Sequence, residues 1–308
     1  MFLKKKTSIS TNDYWSSIEK LKQELDTADA IIVGAGAGLS ASAGFSYTGV
    51  PFDTFFPDFK EAYDIPNIYE GGFYPFRNFK EYWAWWSRHI YINRYVPIPG
   101  RIYDDLKTLL TGKDYFILTT NVDHCFQKSG FDKKRLFYTQ GDYGLLQCRK
   151  PCCQETYDNY DRIRAMLSAQ NFTFQPDGNL VPPDRSTLKM GVPEDLVPRC
   201  PHCGAFLTTN LRADHTFVQD KGWYRAKERY DLFCHRWDGA HILYLELGVG
   251  YNTPGVIKYP FWHSADRNHN SVYAIINQGQ ADVPKELKKR SIRIDNDLHR
   301  TVLDLIHS

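Results

Sequence analysis

The sequence predicts an α/β fold, a Rossmann-like, doubly wound parallel sheet with a smaller zinc-ribbon-containing insertion domain. Three observations predict it. Short, continuous apolar runs recur along the chain, helical patterns separate them, and a cysteine-bearing stretch at residues 148–210 interrupts the alternation. A parallel strand covered on both faces reads as an unbroken apolar run, and helices between such runs are the crossovers that parallel strands require.

A helical pattern opens near Ser16, with Ile18, Leu21 and Leu25 on one face, and ends near Asp26. Ala30-Ile31-Ile32-Val33 is the first strand, ended by glycines. A helical pattern over residues 102–110 precedes the second strand, Tyr115-Phe116-Ile117-Leu118. Further strands fall at residues 242–245 and 272–276. Arg293 and Asp295 mark a short last strand, and residues 298–306 a closing helix. Aromatic residues make up 15% of the chain and crowd between Phe52 and Tyr103. Phe79, Tyr82, Trp83, Trp86 and Ile90 share one helical face, which reads as a helix packed on the core in preference to a wall around a ligand. The domain reading is residues 1–143 as the first part of the Rossmann-like domain, with an aromatic-rich helical insertion near 50–100. Residues 144–215 form the zinc-binding small domain and 216–308 the second part of the Rossmann-like domain.

Composition narrows the function. The 38 basic and 36 acidic residues leave a net charge of +2, too small a field to favour nucleic acid or acidic lipid. Lys4, Lys5 and Lys6 are followed by the polar run from Thr7 to Asn12 where a signal peptide needs apolar residues. The longest apolar runs are too short to span a bilayer. A cytoplasmic location is expected, where paired cysteines serve as metal ligands more often than as disulfides.

Three motifs carry chemistry. Directly after the first strand comes a small-residue turn at residues 34–44, containing Gly36, Ala37, Gly38, Ser40 and Gly44. Missing side chains there let backbone amides approach a pyrophosphate, although glycine also serves tight packing. Thr119, Asn121 and Asp123 stand at the carboxyl end of the next strand, where ligands of such sheets sit. Asn121 has the groups to hold a ribose hydroxyl or a water, and Asp123 to accept from an amide nitrogen; both residue types also cap turns. Cys148, Cys152, Cys153, Cys200 and Cys203 supply two knuckles for a tetrahedral structural zinc, with Cys200-x-x-Cys203 at standard spacing and the partner of Cys148 open between Cys152 and Cys153. Four thiolates would close the coordination sphere, so such a zinc braces the fold. His202 is then a spacer or a substitute ligand.

Taken together and in this order, these residues resemble the sirtuins. Gly36-Ala37-Gly38-Leu39-Ser40 is similar to the family's Gly-Ala-Gly-x-Ser turn, and Thr119 to Asp123 to its Thr-Gln-Asn-Ile-Asp motif. Gln140-Gly141 stands eight residues before Cys148, as the family's catalytic His-Gly stands before its first zinc cysteine. Gly248, Gly250 and Asn277 resemble the late glycines and asparagine that contact the phosphates and the adenosine ribose. Two departures matter. Gln140 replaces the histidine base, and a glutamine amide orients a hydroxyl without taking its proton. Ser46-Tyr47-Thr48-Gly49 replaces the family's Pro-Asp-Phe-Arg segment.

The pattern is most similar to the macrodomain-linked, class M sirtuins. That resemblance implies NAD as co-substrate, structural zinc, and protein mono-ADP-ribosylation in place of deacylation. It further implies a lipoylated glycine-cleavage H-like carrier protein as substrate, and a macrodomain hydrolase that reverses the mark. Asn121 and Gln140 would orient the ribose and Asp123 hold the nicotinamide amide. The alternatives are a deacylase using His124 or Asp142 as a replacement base, an NAD hydrolase, and an NAD-binding module without catalysis. Residues 171–199 read either as a partner-contact loop or as an ordinary flexible linker.

Overall fold

The structure is a computed structural model that describes residues 11–252 and 254–308; Lys4, Lys5, Lys6 and the start of the polar run lie outside them. The strands in chain order are β1 (Ala30–Ala35), β2 (Tyr115–Thr119), β3 (Leu136–Tyr138), β4 (Gly141–Cys148), β5 (Thr156–Asp158), β6 (Thr173–Phe174), β7 (Leu180–Val181), β8 (Leu207–Leu211), β9 (Ile242–Leu247), β10 (Val272–Ile276) and β11 (Ser291–Ile294). The helices are α1 (Thr11–Thr27), α2 (Ala37–Ser42), α3 (Val50–Phe55), α4 (Pro57–Tyr63), α5 (Ile68–Gly71), α6 (Phe79–Ile90), α7 (Ile102–Leu109), α8 (Cys125–Lys128), α9 (Tyr160–Ala169), α10 (Lys221–Arg236), α11 (Lys258–Arg267) and α12 (Leu298–His307).

Six strands form one sheet in the order β11-β10-β9-β1-β2-β3, parallel at every pairing. The chain winds outward from β1 to one edge and then from β9 to the other, so β1 and β9 flank the point where the winding reverses. Their apolar runs are buried at every position. Ile31, Val33, Leu245 and Leu247 join the core on the face covered by α1, α7 and α12, whereas Ile32, Phe116 and Tyr244 join the core under α10 and α11. Burial is worth roughly 25 cal/mol per Å² of apolar surface, so both layers add to the drive to fold.

A second core is shared by the aromatic segment and the cysteine-bearing segment. Trp83, Trp85 and Trp86 of α6 pack with Phe52, Phe56 and Phe59 and with Leu146, Ile163 and Leu207. The aromatic face of α6 is therefore interior, as its spacing predicts. Antiparallel strands β5-β4-β8 form a small sheet here. Arg88 is fully buried in this core, where Asp58 receives both guanidinium arms at 2.6 and 2.9 Å and Gln170 takes Nε at 2.8 Å. A buried guanidinium persists only when paired in this way. After α6 the helix widens into a π turn over Tyr91–Tyr95, which carries Arg94 toward β4.

No helix among the described residues is long and apolar enough to cross a membrane.

Candidate functional site

The carboxyl ends of β1, β2, β9 and β10 meet above the reversal point, and most of the predicted cofactor residues are there. Gly36 donates its amide to Leu247 at 3.0 Å, and Gly38 donates to Gly248 at 2.9 Å. The two turns interlock without side chains. A Cβ on Gly38 would lie 2.7 Å from Cα of Gly248, and one on Gly36 would lie 2.7 Å from the Gly248 carbonyl. Gly36 caps α2 with no side-chain hydrogen bond, so the first amides of α2 keep no internal side-chain partner. Asn277, at the end of β10, donates to the Val249 carbonyl at 3.1 Å and fixes the second turn from the far side. Gly250 is open, its nearest neighbour Gln280. Gly44 sits apart, ending α2 with φ +97 beside Pro99.

From β2, Thr119 donates to the Ala35 carbonyl at 2.9 Å and accepts the Asn121 amide at 3.0 Å. Asn121 is buried, and its Nδ2 donates to the Gly36 carbonyl at 3.0 Å, which turns the amide oxygen away as an acceptor. Asp123 accepts from the Cys125 amide at 2.9 Å and from the Ser40 hydroxyl. Ser40 also meets the hydroxyl of Tyr103 at 3.2 Å. A carboxylate offers about four lone pairs, so Asp123 keeps acceptor capacity after capping α8. Burial raises the Tyr103 phenol well above its usual pKa, with the Asp123 charge adding to it, so Tyr103 stays a neutral donor.

Gln140 lies on the link between β3 and β4. Its carbonyl accepts the Arg212 amide at 3.0 Å, and the residue lines a cavity of about 810 Å³ together with Thr139, Arg212, His215, Trp223 and Lys227. The next residues form a charged network that the sequence does not reveal. Arg94 donates Nε to Asp142 at 2.6 Å, and the other carboxylate oxygen lies 2.7 Å from His124 Nδ1. His124 adopts φ +64, a costly conformation for a non-glycine residue, and this contact helps hold it there. Burial alone would raise the pKa of Asp142. The His124 hydrogen bond and the Arg94 charge outweigh burial and hold it at about 2.

That shift fixes the sign of a pH effect. Asp142 binds its proton later in the folded chain than in the unfolded one, where the ordinary value is 3.8. The network therefore contributes about 2 kcal/mol above pH ~4, and this is lost as pH falls toward about 2. Asp142→Asn is expected to lower urea-unfolding stability by about 2–3 kcal/mol at pH 7, with the gap to wild type closing as the pH is lowered toward 2. A gap that is the same at pH 7 and pH 3 would remove Asp142 as the source.

A third set of contacts joins the segments. Tyr143 donates its amide to the Val122 carbonyl at 3.0 Å. Its hydroxyl meets His89 Nε2 at 2.9 Å and the Tyr47 hydroxyl at 3.3 Å. Burial pushes the His89 pKa down to about 3, so the ring is neutral, stacked on Trp86. Tyr47 is the residue of the divergent Ser46-Tyr47-Thr48-Gly49 segment that this contact anchors.

The cysteines resolve into one group. The sulfurs of Cys148, Cys152, Cys200 and Cys203 all lie within 4.8 Å of one another, with 3.6 Å between Cys148 and Cys203 and 3.5 Å between Cys152 and Cys200. These separations exclude disulfides, whose sulfurs are about 2.05 Å apart. They match the edge of about 3.8 Å in a tetrahedron of sulfurs about 2.3 Å from a zinc. The four residues fit the ion, and Cys152 completes the set where the spacing left Cys153 as an alternative. His202 is outside it, 2.8 Å from Glu155. Cys200→Ser is expected to cost the chain its tightly held zinc and about 3 kcal/mol or more of stability in the small sheet. Metal analysis by mass spectrometry and a thermal melt check it; a variant with one zinc and an unchanged melt contradicts the assignment.

Several site residues escape the sequence reading. Tyr103, Arg94 and Tyr143 come from distant segments and carry no local signal. Glu246 does carry one, as an acid inside the apolar strand β9; it is fully buried, pairs with the equally buried Lys258 of α11 and accepts from Tyr273 at 2.7 Å. This pair stands just below the Gly248 turn.

No family model matches the chain. A protein ADP-ribosyltransferase of Staphylococcus aureus is 35% identical over 292 residues, covering 94% of this chain and 87% of that protein. A probable bifunctional ADP-ribose hydrolase/ADP-ribosyltransferase of Fusarium oxysporum is 28% identical over 301 residues, and this chain spans 47% of its length. Among solved structures, a Sir2 homologue in complex with NAD aligns with a TM-score of 0.56 at 14% identity, over 94% of this chain and 92% of that one. A Sir2 complex with a p53 peptide and NAD⁺ aligns with a TM-score of 0.53 at 15% identity, over 94% and 97%. The fold is that of the sirtuins, and the chain belongs to the sirtuin-type protein ADP-ribosyltransferases.

Proposed function

We propose that this chain uses NAD⁺ to mono-ADP-ribosylate a lipoylated, glycine-cleavage H-like carrier protein. In the reaction the bond between nicotinamide and the ribose breaks, and an acceptor side chain of the carrier bonds to the anomeric carbon. Asn121 and Gln140 orient the ribose. Asp123 receives the nicotinamide amide with the acceptor capacity left after its contacts to Cys125 and Ser40. Gly36, Gly38, Gly248 and Gly250 admit the pyrophosphate, and Asn277 supports the turn that holds it. The large cavity beside Gln140, rimmed by Arg212, His215, Lys227 and Asp231, is the entry for the acceptor.

The observation that carries transfer over deacylation is Gln140 in that cavity wall. Deacylation needs a base on a ribose hydroxyl after the acyl oxygen has attacked. A glutamine supplies none, and Asp142, held at about pKa 2, is a poor base near pH 7. Losing such a base costs about 10²–10⁴ in rate, which silences deacylation and leaves direct transfer intact.

One observation favours the second reading, deacylation. His124 is oriented by the Asp142 carboxylate and lies near Asn121 and Asp123, the pairing a general base uses.

The reversing partner is proposed as a macrodomain hydrolase. The Fusarium relative, named for both ADP-ribose hydrolase and transferase, supports that pairing. The division into residues 1–143, 144–215 and 216–308 and a cytoplasmic setting belong to the same proposal, the latter supported by four cysteines clustered as metal ligands and not as disulfides. Labelled NAD⁺, an acyl-lysine peptide and the lipoylated carrier, incubated together with the protein, separate the readings. Label on the carrier with an intact peptide is the expected result; peptide turnover selects deacylation, and nicotinamide release without label on either selects hydrolysis.

A further inference from the structure

We infer that the small sheet carries a second metal site, formed by Cys153, Glu155 and His202, for a divalent cation of the zinc class. One ligand atom from each, the Cys153 sulfur, a Glu155 carboxylate oxygen and a His202 ring nitrogen, lies within 4.8 Å of the other two. None of the three belongs to the four-sulfur group. Cys153 and Glu155 follow Cys152 on one knuckle, and His202 lies between Cys200 and Cys203 on the other. Closing the four-sulfur site therefore brings both halves of the second site together.

The donor set has the chemistry of such a site. A thiolate and a carboxylate balance the charge of a divalent cation, and a neutral imidazole completes three ligands of the types that bind zinc. The sulfur and nitrogen donors select against magnesium and calcium. Three protein ligands leave a fourth position for water. His202 and Glu155 lie 2.8 Å apart, and the Cys153 sulfur lies 3.7 Å from the Tyr157 hydroxyl and 3.9 Å from the Cys152 sulfur. His202 and Glu155 are each at least half exposed, and an ion pair that open to water contributes little to stability. Metal entry breaks this contact and releases the Cys153 thiol proton to solvent.

Titration of the full chain, already holding its tight zinc, with added Zn²⁺ tests the site. The expected result is a second equivalent bound more weakly than the first. Cys153→Ser abolishes the second step while keeping the first metal, and Glu155→Gln and His202→Asn each weaken it by at least about tenfold. Titration with Co²⁺ should give a thiolate-to-cobalt absorption band in the second step that Cys153→Ser lacks. Saturation at one metal per chain overturns the inference, as does second-step binding unchanged in all three variants. Loss of the tight metal in Cys153→Ser overturns it too, since Cys153 would then belong to the first site. His202 and Glu155 are at the surface, so those variants report on binding even if Cys153→Ser folds poorly.

Discussion

Gly248→Ala is expected to give a chain about 4 kcal/mol less stable than wild type that no longer binds NAD⁺ measurably. Two costs add. Gly248 holds φ +60, which an alanine adopts at roughly 1–3 kcal/mol. Its new Cβ would lie 2.7 Å from the Gly38 backbone and from the Leu39 nitrogen, and neither is a flexible chain end that could give way. Forcing the turns apart costs about 1–3 kcal/mol more. It also breaks the bond from the Gly38 amide to the Gly248 carbonyl and moves the amides that would face the pyrophosphate. A melting temperature lower by about 10 °C and a flat calorimetric trace with NAD⁺ are the readouts. Gly250→Ala is the control for the stability loss alone and should melt like wild type, because a Cβ there meets only the Gln280 side chain at 3.4 Å. Wild-type melting and affinity in Gly248→Ala would refute the interlock.

The parts of the fold legible in the sequence are those whose cause is local. β1, β9 and β10 are buried on both faces, so each shows as an apolar run, interrupted in β9 by Glu246. β3 is only three residues at the sheet edge, and β8, Leu-Thr-Thr-Asn-Leu, is half polar; neither stands out from a loop. α10 buries only Ala226 and Phe233 among sixteen residues, too thin a stripe to read. The same division runs through the site. The turn at Gly36 and the cluster at Asn121 sit on contiguous segments. The contact of Arg94 with Asp142 spans 48 residues, and that of Ser40 with Tyr103 spans 63, so each exists only after packing. Choosing between Cys152 and Cys153 needed the direction of two adjacent side chains, which spacing does not contain.

Asn121→Ala is expected to slow nicotinamide release by about 10²–10³ while the affinity for NAD⁺ changes little. The backbone at this position is held independently of the side chain, by the bond from the Asn121 amide to Thr119 Oγ1 at 3.0 Å, so the segment keeps its course. What goes is an amide aimed by its own bond to the Gly36 carbonyl, which leaves that carbonyl short of one donor and costs about 1 kcal/mol of stability. If Asn121 only shaped the pocket, Kd would rise and kcat would stay; if it orients the ribose as charge develops, kcat falls and Kd stays. Gln140→Ala should lower kcat in the same direction. Gln140→His puts an ionisable group at the same place, so a gain of peptide deacylation in that variant, with carrier labelling retained, would tie the choice of reaction to the one side chain. Should Gln140→His leave both activities as they were, the discrimination must lie elsewhere, and the pair of His124 and Asp142 becomes the next position to change.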